Sequence, residues 1–127
     1  MSYSFGIEEE YFLVDRETGS VARKMPDGFF AAAKATLGKQ VTGEFLQSQI
    51  EIVTDPQTDM AAAASDLRDL RRTLAAIAGA HGLAIMAAGT HPTAVWERSR
   101  QSLGERYDSV MDDLQMIGQR NMLCGMH

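Results

Sequence analysis

The chain has 127 residues, of which 45% are hydrophobic, and a net charge of −5. The length and composition support one domain with a buried core, and the negative charge disfavours broad binding to nucleic acid or anionic membranes, whose phosphates would be repelled. Its single cysteine, Cys124, allows no intrachain disulfide, and its longest apolar stretch, residues 74–89, is interrupted and too short to span a bilayer. The acidic start of the chain is not typical of a signal peptide, so we expect a soluble, cytoplasmic protein.

The first third of the chain predicts a hairpin followed by a helix. Residues 3–14 are rich in aromatic and branched side chains, which favour a strand. Residues 15–20 have the composition of a turn, and residues 20–23 could return as a second strand. An alanine-rich run over residues 28–37 then predicts a short helix that Gly38 stops.

The middle of the chain predicts one extended segment and one long helix. Residues 40–54 alternate in the manner of a strand. Residues 59–81 have leucines at helical spacing, with Thr58 or Asp59 as the N-cap and Gly82 just after the last turn.

The last third predicts a buried strand over residues 83–88, a second long helix over residues 105–120 and an apolar strand over residues 122–127. Strands and helices are interspersed, but the first two strands form a hairpin. We therefore expect an α+β fold with a largely antiparallel sheet and helices on one face, with a mixed sheet as the alternative.

Three adjacent glutamates lie in the first strand. Successive side chains of a strand point to opposite faces, so Glu8 and Glu10 share one face and Glu9 points to the other. Two carboxylates about 7 Å apart along a strand repel each other unless a cation lies near them, and hard cations such as Mg²⁺ take oxygen ligands. The alternative is a solvated sheet face. Glu9 falls on an apolar face, where a bulge or a covered edge would relieve it.

Two further carboxylates belong to the extended segment of residues 40–54. Glu51 lies within a β-rich run, and Glu44 precedes it by seven residues. Seven is odd, so a regular strand would point the two side chains to opposite faces. Both can reach one site only if the strand bulges or breaks, which Gly43 would permit. A solvated position is the alternative for each residue.

Five segments together resemble the glutamate–cysteine ligase type 2 family, the carboxylate–amine ligases, in the same order along the chain. The first is Gly-Ile-Glu-Glu-Glu-Tyr-Phe-Leu-Val-Asp at residues 6–15. The others are Gln-Ser-Gln-Ile-Glu at residues 47–51, Gly-Thr-His-Pro at residues 89–92, Arg-Tyr at residues 106–107 and Cys-Gly-Met-His at residues 124–127. The resemblance covers essentially the whole chain.

The resemblance implies a fold like that of glutamine synthetase, with a curved, mostly antiparallel sheet whose concave face holds metal ions, ATP and an amino acid. It implies an ATP-dependent ligase that phosphorylates a substrate carboxylate, typically that of glutamate, to an acyl phosphate. An amine such as that of cysteine then forms the amide. The implied cofactors are ATP and Mg²⁺ or Mn²⁺, and cations of this kind neutralise charge during phosphoryl transfer.

The family pattern also implies roles for individual residues. Glu8, Glu10 and Glu51 match metal-ligating carboxylates, Glu44 matches less closely, and His127 matches a metal or phosphate ligand.

An Arg-Tyr pair beside the amino-acid pocket is matched by Arg106 and Tyr107, and the arginine could hold a carboxylate through two hydrogen bonds. The alternative for this pair is an exposed helix surface. A Cys124–His127 nucleophile is disfavoured, because three residues along a strand place the two side chains on opposite faces, and Cys124 is interpreted as core.

The family pattern continues beyond His127, so residues 1–127 are expected to be the N-terminal part of one ligase domain, truncated at its C-terminal end, with an incomplete sheet and little activity alone. The alternative is a non-catalytic metal-binding or oligomerisation module. An open edge at residues 123–127 would favour strand pairing between copies, and a homo-oligomer is expected in either case.

Overall fold

The structure of the chain is a computed structural model that describes residues 3–44, 46–95, 100, 102 and 122–127. Within these residues, four strands and two α-helices follow one another along the chain. They are β1 (Glu8–Asp15), α1 (Phe29–Leu37), β2 (Val41–Gly43), β3 (Gln49–Val53), α2 (Met60–Ala80) and β4 (Leu83–Met86), with one 3₁₀ turn at Gly38–Gln40.

The four strands form one sheet in the order β2-β3-β1-β4, and every neighbouring pair is antiparallel. β1 is central: Tyr11 lies opposite Ile50 of β3, and Leu13 lies opposite Ile85 of β4. The predicted α+β class with an antiparallel sheet is confirmed.

The long helix forms where its end signals predict. The Asp59 side chain accepts a hydrogen bond from the Ala62 N–H at 2.8 Å and caps α2. Gly82 follows the helix with φ +73°, a left-handed conformation that costs glycine little. The predicted span of residues 59–81 therefore differs from the observed helix by only one residue at each end.

Both helices cover one face of the sheet. The buried residues of α2 recur at helical spacing, from Ala63 through Leu67 and Leu74 to Ala78. They pack in one cluster with the sheet side chains Tyr11, Leu13, Val41, Ile50 and Ile52 and with Phe29 and Ala33 of α1. This cluster is the main core, and it confirms the prediction that the helices lie on one face.

The opposite face has a smaller apolar cluster at one end. Phe12 and Val14 of β1 pack there with Leu46, Met122 and Cys124. Cys124 is buried, as predicted for a core residue. The rest of this face carries the carboxylates described below.

Residues 122–127 lie beside the first half of β1. The Glu8 N–H donates to the His127 carbonyl at 3.1 Å, the His127 N–H donates back at 2.9 Å, and the Glu10 N–H donates to Gly125 at 2.9 Å. Alternate N–H groups of a strand point to the same side. These residues therefore continue the ladder on the side that β4 occupies further along β1.

Two predicted extended segments differ from the structure. Residues 40–54 do not form one strand, because β2 ends at Gly43 and the chain reverses before β3 begins at Gln49. The Gln49 N–H donates to the Leu46 carbonyl at 3.0 Å within this reversal. The predicted return strand at residues 20–23 is reduced to one bridge between Val14 and Val21.

The predicted helix over residues 105–120 lies outside the described residues, as do Arg106 and Tyr107. Among the residues that the structure does describe, no helix combines the length and the apolar character needed to cross a membrane.

Candidate metal centre

The antiparallel pairing of β1 with β3 places two carboxylates directly opposite each other. Glu10 is the cross-strand partner of Glu51, and Phe12 is the partner of Gln49. Because Tyr11 packs among the helices, strand alternation directs Glu10 to the other face. Among the described residues, Glu10 and Glu51 therefore share the sheet face that α1 and α2 do not cover, which we call the uncovered face.

Glu44 joins these two residues because the chain reverses after Gly43. Carboxylate oxygens of Glu10, Glu44 and Glu51 lie within 4.8 Å of one another. We name these three residues the carboxylate cluster. The expected parity conflict between Glu44 and Glu51 is resolved by the break between β2 and β3, since the two residues belong to different segments of the hairpin.

The electrostatics of the cluster favour a bound positive charge. Partial burial and the negative charges of Glu44, Glu8 and Glu10 together raise the pKa of Glu51 to about 7, although His127 acts in the opposite direction. No Arg or Lys side chain of the described residues forms an ion pair with Glu10 or Glu51. Three hard oxygen donors at this spacing fit a divalent cation such as Mg²⁺ or Mn²⁺.

A backbone donor orients one of the carboxylates. The Gly125 N–H donates to Glu10 Oε2 at 2.8 Å. A Cβ atom at Gly125 would lie 3.2 Å from Nε2 of His127 and 3.9 Å from the same Glu10 oxygen. Glycine at this position therefore lets the His127 ring and the Glu10 carboxylate approach each other, which places His127 at the margin of the cluster.

An amide and a thiol, neither of them predicted as site residues, complete one wall. Gln49 Nε2 donates to the Leu123 carbonyl at 2.6 Å and to Cys124 Sγ at 3.3 Å. Both side chains line a cavity of about 230 Å³ together with Glu10, Glu44, Leu123, Gly125 and His127. Burial raises the pKa of the Cys124 thiol to about 11, so the thiol is protonated at neutral pH.

One sequence signal pointed to Gln49: it shares strand parity with Glu51. No local signal connects Cys124 with Gln49, because their bond joins residues 75 positions apart.

Glu9 is buried on the helix face. Hydrogen-bonding side chains accommodate it there, and not the bulge or covered edge that the sequence suggested. Arg71 of α2 donates from Nε to Glu9 Oε2 and from Nη2 to Glu9 Oε1, each at 2.7 Å. The Tyr11 hydroxyl donates to the same Oε2 and accepts from Arg71 Nε at 3.1 Å. A buried carboxylate with these partners needs no distortion of the strand.

The sequence model of the glutamate-cysteine ligase family 2 matches residues 4–127. The chain belongs to this family.

Several members of the family are similar to the chain over nearly its whole length. A protein named "Putative glutamate–cysteine ligase 2" from Bradyrhizobium sp. (strain ORS 278) is 51% identical over 98% of this chain and 31% of its own. A relative of the same name from Paracoccus denitrificans is 41% identical over 98% of this chain and 33% of its own. The chain thus spans about a third of the length of these relatives.

Solved structures confirm the fold. Glutamate–cysteine ligase from Francisella tularensis, in complex with AMP, superposes with a TM-score of 0.73 at 19% identity and covers 98% of this chain and 27% of that one. A bifunctional glutathione synthetase from Pasteurella multocida has a TM-score of 0.66 at 17% identity, over 97% of this chain and 16% of that one.

The structure brings together only some of the residues that match the family pattern. Glu10, Glu44 and Glu51 are brought together, and His127 lies beside Glu10. Glu8 has an exposed side chain and lies outside the carboxylate cluster, although its charge acts on Glu51. Arg106 and Tyr107 lie outside the described residues.

Proposed function

We propose that this chain supplies the metal-binding wall of an ATP-dependent carboxylate–amine ligase. The observation that carries the proposal is the carboxylate cluster on the uncovered face of the sheet, in a chain of the glutamate-cysteine ligase family 2. Because the chain spans about a third of the length of its relatives, the reaction is assigned to the family's full-length catalytic domain, and residues 1–127 are proposed to be its N-terminal part.

The proposed substrates are glutamate, ATP and an amine such as cysteine. An oxygen of the glutamate side-chain carboxylate attacks the γ-phosphorus of ATP, and ADP leaves. The amine nitrogen then attacks the acyl carbon of the resulting acyl phosphate, phosphate leaves, and the nitrogen loses a proton as the amide forms. The AMP bound to the Francisella tularensis ligase supports an adenine nucleotide as the cosubstrate.

The residues of this chain would hold the cations that such a reaction needs. Glu10, Glu44 and Glu51 are the proposed ligands, and Glu8 and His127 are proposed as weaker contributors at the margin of the site rather than as direct ligands. A divalent cation held by these residues would neutralise phosphate charge, and phosphoryl transfer relies on such stabilisation together with positioning. The Gly125 N–H holds the Glu10 carboxylate in place, and the Gln49 amide fixes the wall at residues 123–124.

A chimeric enzyme tests this function directly. Residues 4–127 replace the matching segment of the relative from Bradyrhizobium sp. (strain ORS 278), and phosphate release is measured with ATP, glutamate and cysteine. We expect turnover by the chimera and little by the 127-residue chain alone.

Glu10→Gln and Glu51→Gln should each reduce turnover by roughly 100-fold or more, since each removes a ligand charge. Glu17→Gln, in the exposed turn after β1, is the matched control and should leave turnover unchanged. Full activity of the Glu10→Gln and Glu51→Gln chimeras would exclude the proposed role.

A second candidate, a module that pairs copies of the chain, is favoured by two exposed apolar side chains in the segment beside β1, Leu123 and Met126. Sedimentation of the chain over a concentration series distinguishes it. A strict monomer at high concentration counts against this role, whereas a dimer lost in a Leu123→Ser variant supports it.

A further inference from the structure

A three-residue network lies directly behind the carboxylate cluster, on the helix face of the sheet. Arg71 holds both oxygens of Glu9, and Tyr11 bonds to both Glu9 and Arg71. The Glu9 side chain is only 5% exposed, while that of Arg71 is 42% exposed. The network joins the middle of α2 to the β1 residue that lies between Glu8 and Glu10.

The backbone of Glu9 has a strand neighbour on each side, and its side chain is held as well. Its cross-strand partner in β3 is Ile52, and it forms a bridge with Met126 on the other side. Arg71 adds a third restraint, perpendicular to the sheet. Together they fix the rotation of β1 about its own axis at the point where Glu10 leaves the strand on the opposite face.

The carboxylate cluster needs such a restraint. Like charges within 4.8 Å of one another repel, and a strand free to twist would relieve the repulsion by turning Glu10 away from Glu44 and Glu51. Metal ligands held in place before the cation arrives bind it more tightly, because less ordering is lost on binding. Arg71 also neutralises Glu9, so Glu9 adds no net negative charge behind the carboxylate cluster.

We infer that Arg71, acting through Glu9 and supported by Tyr11, is a positioning residue for the carboxylate cluster. The inference rests on the proposed function, in that the cluster is taken to bind a divalent cation. Arg71 lies on the face of the sheet opposite the carboxylate cluster, and it acts by holding β1 in the orientation that brings Glu10 to Glu51. Its planar guanidinium suits this role, because a lysine ammonium cannot bond both Glu9 oxygens in the same geometry.

Binding of Mn²⁺ to the 127-residue chain tests the inference without reference to turnover. Electron paramagnetic resonance measures free Mn²⁺ in titrations of the unsubstituted chain, Arg71→Lys and Tyr11→Phe, at a temperature at which denaturant curves show each to be folded. We expect the dissociation constant to rise roughly three- to tenfold for Arg71→Lys. This is no larger than the usual loss of metal affinity when a group that orients a metal ligand is removed. Tyr11→Phe, which keeps the ion pair, should give a smaller rise in the same direction.

Arg72→Lys is the matched control, because Arg72 is the next residue of α2 and its ion pair with Asp69 is exposed. It should leave the dissociation constant unchanged. If Arg71→Lys does not fold, Tyr11→Phe alone decides: a weakened dissociation constant supports the inference, and an unchanged one contradicts it.

Different outcomes would contradict the positioning role and the metal site. Folded variants of lower stability that bind Mn²⁺ as tightly as the unsubstituted chain would overturn the positioning role and leave the metal site standing. No Mn²⁺ binding by the unsubstituted chain would overturn the proposed site itself, and this inference with it.

Discussion

The two faces of β1 place glutamate side chains in opposite electrostatic environments. On the helix face, Glu9 is buried and fully bonded by Arg71 and Tyr11. On the uncovered face, Glu10 lies opposite Glu51 and close to Glu44, and no Arg or Lys of the described residues pairs with Glu10 or Glu51. One face neutralises its carboxylate with the protein's own cation, and the other gathers negative charge.

This contrast separates structure from function along a single strand. A buried carboxylate needs its charge partner, since loss of that partner is strongly destabilising, and the pair fixes the local geometry. A cluster of like charges destabilises the fold, and such a cost is common where a protein prepares a binding site. Substitutions on each face test whether the two faces differ in this way.

The largest expected change in stability comes from removing the cation of the helix face. Arg71→Met leaves the Glu9 carboxylate buried without its charge partner, and we expect a loss of about 3 kcal/mol in the free energy of unfolding, at the lower end for buried pairs because Arg71 is partly exposed. Urea denaturation at neutral pH measures it. Arg72→Met, whose ion pair is exposed, should lie within about 0.5 kcal/mol of the unsubstituted chain.

Equal losses for Arg71→Met and Arg72→Met would show that Glu9 is not held as described. Glu9→Gln offers an independent check, because it keeps the shape of the side chain and removes its charge.

On the uncovered face the expected effect is on ligand affinity rather than stability. Glu10→Gln should weaken Mn²⁺ binding by roughly 100-fold, about 2.7 kcal/mol, because it removes one of three clustered oxygen anions. Glu8→Gln removes an exposed charge outside the cluster and should weaken binding by about threefold at most. Isothermal titration calorimetry on both variants compares them, and equal effects would contradict the distinction between Glu8 and Glu10.

The pH dependence of stability should also distinguish the faces. The pKa of Glu51 is raised from 4.5 to about 7 in the folded chain, so the folded state binds this proton more tightly than the unfolded state does. The stabilisation that the proton provides is therefore complete below about pH 4.5 and is lost as the pH rises through about 7.

Comparison with Glu51→Gln isolates this contribution. Between pH 5 and pH 8 in the presence of EDTA, the unsubstituted chain should lose roughly 1–2 kcal/mol more than Glu51→Gln, a figure reduced for solvent screening of a partly exposed group. Denaturant titrations at the two pH values measure the difference. An identical pH dependence for both chains would mean that Glu51 is not perturbed by its neighbours.

The sequence predicted the orientation of these side chains better than their partners. Strand alternation assigned Glu8 and Glu10 to one face and Glu9 to the other, because the period of a strand is a local property. It could not supply Arg71, which lies 62 residues away and meets Glu9 only after α2 packs on the sheet. The same limit applies to the wall formed by Gln49 and Cys124.

The reversal between β2 and β3 is a second case. Residues 40–54 carry one continuous pattern of strand-forming side chains, and the turn near Leu46 lacks the usual glycine or proline signal. In one unbroken strand, Glu44 and Glu51 would point to opposite faces, so the sequence allowed a shared site only if the strand bulged or broke. Once the chain reverses, the two residues belong to separate segments, and seven positions in sequence become a contact across the hairpin.

The smallest expected effect concerns the contact between residues 122–127 and the carboxylate cluster. In Gly125→Ala the new methyl group would lie 3.2–3.3 Å from the His127 ring, which is tight but can be relieved because His127 is exposed and can turn. We expect a stability loss below about 1 kcal/mol, since the backbone bond from Gly125 to Glu10 is kept. The ring should turn away from Glu10, which the ¹H–¹³C NMR signals of His127 would show, and Mn²⁺ binding should weaken by about twofold.

His127→Ala is the control for this prediction. It should bind Mn²⁺ with the same affinity as Gly125→Ala if the ring is the group displaced. A larger loss of Mn²⁺ affinity in Gly125→Ala than in His127→Ala would instead assign the effect to the orientation of Glu10. It would show that Gly125 positions the Glu10 carboxylate directly.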